Sequence, residues 1–139
     1  MSRAAFFDAL VNDTVLNGFG ITDETVFHNY SNDERPSDTG PFIILRWGEQ
    51  DAPFFENMKS PERVTVWVHW PKELTNDYTR LIKILDQIDN VVLELRDVPG
   101  SDDYTLSFVT LGSRSGDFFD DGFDTITKNA NYEVYTRLS

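Results

Sequence analysis

Two histidines, pairs of adjacent carboxylates and two glycine-framed loops are the groups in this chain with any reactive potential. His28 and His69 fall in separate extended stretches, so a metal site built on them needs carboxylates to complete its ligand set. His69 reads instead as a structural residue on a partly covered sheet face. Gly112-Ser-Arg-Ser-Gly116 has the glycine frame of a hydrolase nucleophile elbow, but Arg114 stands at the middle position where the serine must be. In Asp117-Phe-Phe-Asp-Asp-Gly122, aligning Gly122 with the turn glycine of a calcium loop puts Phe119 at the third ligand position and Lys128 at the bidentate glutamate. The pairs Asp33-Glu34, Asp102-Asp103 and Asp120-Asp121 have no apolar pocket implied around them that would shift a carboxylate into catalytic use. No phosphate-binding glycine loop occurs. The expectation is a protein that is not an enzyme, with no catalytic residue, no metal site and no cofactor.

The elements that would position these groups centre on Arg63-Val-Thr-Val-Trp-Val-His-Trp70. Val64, Val66, Val68 and Trp70 recur at period two and form one face of a strand, with Arg63, Thr65, Trp67 and His69 on the other. Pro71 ends it. A helical pattern runs from Leu74 to Ile88, with Thr75 as N-cap, Asp77 in the first turn, and Tyr78, Leu81, Ile82, Leu85 and Ile88 as the apolar stripe. Asn76, Arg80, Lys83 and Gln87 mark the wet side.

Upstream, Ser2 to Asp13 has the spacing of an amphipathic helix, stopped by Asn17-Gly18 and Gly20. Thr25 to Tyr30 is a short strand, Ser31 to Gly40 a polar loop, and Phe42 to Trp47 a central strand apolar on both faces. Downstream, Val91 to Leu95 is a short strand, Pro99-Gly100 a turn, Tyr104 to Leu111 a strand with Tyr104, Leu106 and Phe108 alternating, Gly112 to Gly122 a second long loop, and Asn131 to Leu138 the closing strand. Runs of strands separated by one main helix predict an α+β fold, a mixed and mainly antiparallel sheet with helices packed on one face. At 139 residues the chain is expected to form a single domain over 1–139.

The formal net charge is −12. Asp23 to Glu56 carries eight acids against two arginines and Asp97 to Asp124 seven acids against one, so each window contributes −6 and the remaining nine acids and nine bases cancel. Nonspecific nucleic-acid binding, which runs on lysine and arginine displacing counterions, is excluded by this balance. The chain has no cysteine, which removes disulfides and thiol chemistry. No stretch approaches the roughly 18 apolar residues that span a bilayer, and no cationic leader opens the chain, so a cytoplasmic site of synthesis and no membrane contact are expected. Both acidic windows contain aromatics: Phe54 and Phe55 in the first, Phe118, Phe119 and Phe123 in the second. Loop phenylalanines are favoured as anchors at protein interfaces, and these five are the candidate contact residues.

The Ser2 to Val11 helix, Val64-Thr-Val-Trp-Val-His-Trp-Pro71 running into Asp77-Tyr-Thr-Arg-Leu-Ile-Lys-Ile-Leu85, and the final Tyr132-Glu-Val-Tyr135 strand resemble tail terminator proteins of long-tailed bacteriophages, particularly phages of actinobacteria. The resemblance implies a virion protein at the head-proximal end of the tail, assembled in the host cytoplasm. It implies a homohexameric ring that ends polymerisation of the tail tube protein, meets a head-tail connector protein, and lets genomic DNA pass without specific binding. Asp33, Glu34 and Asp38, in a loop without apolar anchors, are then the candidate channel lining. A head completion or stopper protein of the same neck region is the alternative, and an acidic protein mimicking DNA is a further one that the confinement of the acids to apparent loops disfavours.

Overall fold

The valine alternation around Val66 does build the central part of a sheet, and helices cover the valine face. In the computed structural model, which describes residues 3–29, 34–50 and 61–138, the chain forms α1 (Arg3–Val11), α2 (Thr14–Gly18), β1 (Val26–His28), β2 (Phe42–Gln50), β3 (Glu62–Pro71), α3 (Tyr78–Val92), β4 (Val98–Pro99), β5 (Tyr104–Arg114), β6 (Phe118–Asp120) and β7 (Thr125–Leu138). The strands lie in the order β1-β2-β3-β7-β5-β4, with β6 also on β7. Among the described residues only β1 and β2 run parallel, and every other pair is antiparallel. The fold is thus α+β with a mixed, mainly antiparallel sheet.

Register sets the faces. Val64 lies opposite both Trp47 and Tyr132, and Val66 opposite Leu45 and Ala130, so these side chains share one face. Phe6 of α1 meets Trp47 edge-on at 5.6 Å and Tyr132 at 6.1 Å. Leu16 of α2 and Leu81, Ile84, Leu85, Ile88 and Val92 of α3 are buried in the same core. Asp13 joins two helices. Its carboxylate accepts from the Leu16 amide at 2.9 Å, capping α2, and from the Gln87 amide group of α3 at 3.0 Å.

Four local expectations are corrected. The N-cap of α3 is Asp77, whose carboxylate accepts from the Thr79 amide at 3.0 Å, while Thr75 accepts from the Asp77 amide two residues too early. The buried stripe takes Ile84 and leaves Ile82 at the surface, because Leu81, Ile84, Leu85, Ile88 and Val92 follow the i, i+3, i+4, i+7 spacing of one helix face and Ile82 falls outside it. Val91 and Val92 finish α3 rather than starting a strand, and the short strand comes at Val98–Pro99. In β5 the alternation breaks at a register shift between Leu106 and Phe108: Leu106 and Val109 are buried, and Phe108 is sent to the surface, stacked on Tyr135 at 4.3 Å.

The segment Gly112 to Gly122 is not a long loop. β5 continues to Arg114, the Ser115 amide donates to the Asn129 carbonyl at 2.9 Å, and β6 resumes pairing with β7 three residues later. From Tyr104 onward the second acidic window is therefore one long hairpin with its turn at Asp121–Asp124. Three of its aspartates have positive φ: Asp97 at 51°, Asp103 at 64° and Asp124 at 54°. Aspartate tolerates this region better than most residues, so acids collect where the chain reverses.

Leu85 is fully buried, whereas Ile82 is 37% exposed. Leu85→Ala is expected to cost about 2–5 kcal/mol in a urea titration, and Ile82→Ala less than about 1 kcal/mol because no cavity forms at the surface.

Candidate functional surface at the hairpin tip

The face of the sheet opposite the helices carries a run of rings at one end. Phe42 of β2 lies opposite His69 of β3, and their rings stack at 4.9 Å and 5°. Phe123, in the turn before β7, meets His69 edge-on at 5.5 Å and Phe42 at 5.9 Å. Trp67 lies 6.3 Å from His69 and 6.3 Å from Phe118. These contacts follow from period-two spacing in β3, which sends Trp67 and His69 to the same side, and from pairing of β6 beside Thr125 and Thr127.

His69 is 3% exposed, and its Nδ1 lies 2.8 Å from the Thr125 hydroxyl. Burial pushes its pKa down to about 4, against a smaller opposing pull from Asp120. The expectation of His69 as a covered structural residue fits this setting. His28 sits elsewhere, stacked on Phe7 at 5.0 Å and accepting from the Trp47 indole at 3.1 Å, with its pKa lowered by burial and by Arg3. Among the described residues no group of three or more histidines and carboxylates is gathered as for a metal ion.

Of the five candidate contact phenylalanines, three are placed. Phe123 folds back against Phe42 and His69 and anchors the turn. Phe118 and Phe119, successive residues of β6, are 48% and 42% exposed. Their backbone is held: β6 is paired to β7, and the Tyr78 hydroxyl donates to the Phe118 carbonyl at 2.6 Å. Lys72 lies over the Phe119 ring, its ammonium 4.8 Å from the centroid. Phe54 and Phe55 lie outside the described residues, as does Asp33.

Glu34 and Asp38 of the proposed channel lining are both exposed. Asp38 accepts from the Arg35 guanidinium at 2.6 and 2.9 Å, and the same guanidinium pairs with Glu73 and donates to the Phe123 and Asp124 carbonyls at 3.4 Å. These hydrogen bonds hold Arg35 charged and lower the pKa of Glu73. Arg35 thereby ties segment 34–40 to the hairpin turn, and the two acidic windows meet at one end of the sheet. No local spacing signals this contact, because Arg35 and Asp124 are far apart in sequence.

Arg114, the residue that spoils the elbow motif, has a different task. It leaves β5 toward α3 and pairs with Asp86 at 2.8 Å and with Asp89, which also accepts from the Tyr132 hydroxyl. Burial and the neighbouring Asp89 carboxylate raise the Tyr132 pKa. The arrangement locks helix to sheet. Among the described residues no helix is long and apolar enough to cross a membrane. No protein-family model and no curated protein matches the chain.

The depressed pKa of His69 makes stability depend on pH with a fixed sign. The unfolded chain, with histidine near its ordinary 6.5, binds a proton that the native state refuses until about pH 4, so the contribution is complete above pH 6.5 and is lost as pH falls toward 4. Between pH 7 and pH 5 the native protein should lose about 2 kcal/mol more than His69→Gln, measured by urea unfolding of both.

Proposed function

We propose that the chain is a structural virion protein of a long-tailed bacteriophage. It would form a homohexameric ring on the head-proximal end of the tail tube, ending tube polymerisation and joining the tail to the head connector. The observation that carries the reading is the exposure of Phe118 and Phe119, successive residues that project to opposite sides of β6, a strand paired to β7. Two large rings held in water by a rigid element are a surface prepared for another protein. The likeness of Val64–Pro71, Asp77–Leu85 and Tyr132–Tyr135 to tail terminators supplies the kind of assembly. A closed ring is head-to-tail and needs two unlike patches on each subunit, and the hairpin tip is read as the contact with the tube rather than as one of them.

The acidic segment that includes Asp33, Glu34 and Asp38 is assigned to the bore. Screening confines its field to about 8 Å at physiological ionic strength, so it acts only on DNA passing directly beside it. Arg35 ties residues 34–40 to the turn that follows β6, which supports a reading with bore and contact at one end of the subunit.

Phe118→Ser combined with Phe119→Ser should abolish capping of purified tail tubes, scored by electron microscopy, and leave the circular dichroism and melting temperature of the isolated subunit unchanged. Capping that persists while the melting temperature drops would assign both rings to the core and sink the reading.

A further inference from the structure

Trp67, Phe118, Phe119, Asp120, Asp121 and Thr127 line an open cleft of about 360 Å³ at the hairpin tip. Three of these six residues are aromatic and two are acidic, and the Trp67 and Phe118 rings lie 6.3 Å apart. Cations nearby are already engaged. Lys128 pairs with Asp117 at 2.7 Å, Arg35 with Asp38 and Glu73, and Lys72 lies on Phe119. His69 is neutral at pH 7. Asp120 uses Oδ1 to accept from the Phe123 amide at 2.9 Å, and among the described residues neither Asp120 nor Asp121 has an ion-pair partner.

We infer that this cleft receives an arginine side chain from a basic segment of a partner protein. Aromatic faces attract a guanidinium through the ring quadrupole, and the methylene stem of arginine covers apolar surface while its head stays polar. Two adjacent carboxylates offer the paired acceptors that a planar guanidinium matches, which a lysine ammonium does not. Lys72 on the Phe119 ring shows the same ring-to-cation attraction within the chain. A second copy of this chain, itself at −12, is the poorer occupant because the like charge of the two bodies opposes their approach. The inference rests on the reading of Phe118 and Phe119 as a protein contact and adds the chemistry of what docks there.

The probe is a hexapeptide of alternating arginine and glycine, with the matched citrulline peptide as its neutral isostere. Binding is followed by NMR at the Trp67 indole and the amides of Phe118 to Asp121. The arginine peptide should shift these signals saturably, and citrulline should bind about tenfold more weakly, as should the arginine peptide to Asp120→Asn combined with Asp121→Asn. Asp23→Asn combined with Asp103→Asn, on other turns, should leave binding unchanged, which separates the cleft from general attraction to an acidic surface. Equal binding of citrulline, shifts scattered over the remote acids, or self-association that depends on Asp120 and Asp121 without peptide binding would each overturn the inference. Loss of tube capping in Phe118→Ser, Phe119→Ser is scored separately, so the docking reading can stand while the arginine assignment falls.

Discussion

Strand β7 is paired on both edges along most of its 14 residues, and nearly every other element takes its place from that constraint. β3 occupies one edge from Thr125 to Val134, while β5 and β6 share the other. Main-chain groups buried this way must find partners, and here they find them in the ladders and in Ser115, which bridges the gap through Asn129. Polar side chains along the strand are likewise satisfied: Thr127 donates to the Val68 carbonyl at 2.9 Å, and Lys128 reaches Asp117. Once β7 is fixed, alternate residues Ala130, Tyr132 and Val134 face the helices, and the opposite set carries Thr125 and Thr127 to the ring cluster.

Charge pairs tie the layers at points where packing alone leaves orientation loose. Arg3 of α1 reaches the buried Glu62 of β3 at 2.7 Å and lies over the Trp47 ring at 5.2 Å. Arg114 and Tyr132 converge on Asp89 of α3 from two strands. Removing one member of such a partly buried set leaves the others uncompensated, so these contacts fix position more than they add stability. Arg35 does the same at the periphery, where solvent weakens each pair but five acceptors share one guanidinium.

The acidic excess has a structural cause before any functional one. Aspartates form the caps and reversals: Asp13 and Asp77 start helices, Asp97, Asp103 and Asp124 take positive φ, and Asp120 closes the turn before β7 through the Phe123 amide. Those beside the start of β7, Asp117, Asp120, Asp121 and Asp124, also give the tip its negative field. The same turn chemistry that folds the chain thus decides the sign of its contact surface.

Period-two spacing in Val64–Trp70 and the apolar run Phe42–Trp47 were sufficient for the two strands, their faces and the α+β class, because those patterns arise from local geometry and burial. The covered setting of His69 was legible for the same reason. The elbow-like and calcium-like motifs could be dismissed from residue identity. What sequence spacing does not contain is the pairing of distant strands: β6, the continuation of β5 through Gly112–Arg114, and the bulge that turns Phe108 outward all depend on β7 as partner. The start of α3 was misplaced by two residues because Thr75 and Asp77 are both competent caps, and packing on the sheet chooses between them. The separation of Phe118 and Phe119 from Phe123 was also invisible, since all three are phenylalanines in one acidic stretch. Only the stacking of Phe42 and His69, brought from two other strands, gives Phe123 an apolar seat and leaves its neighbours facing water.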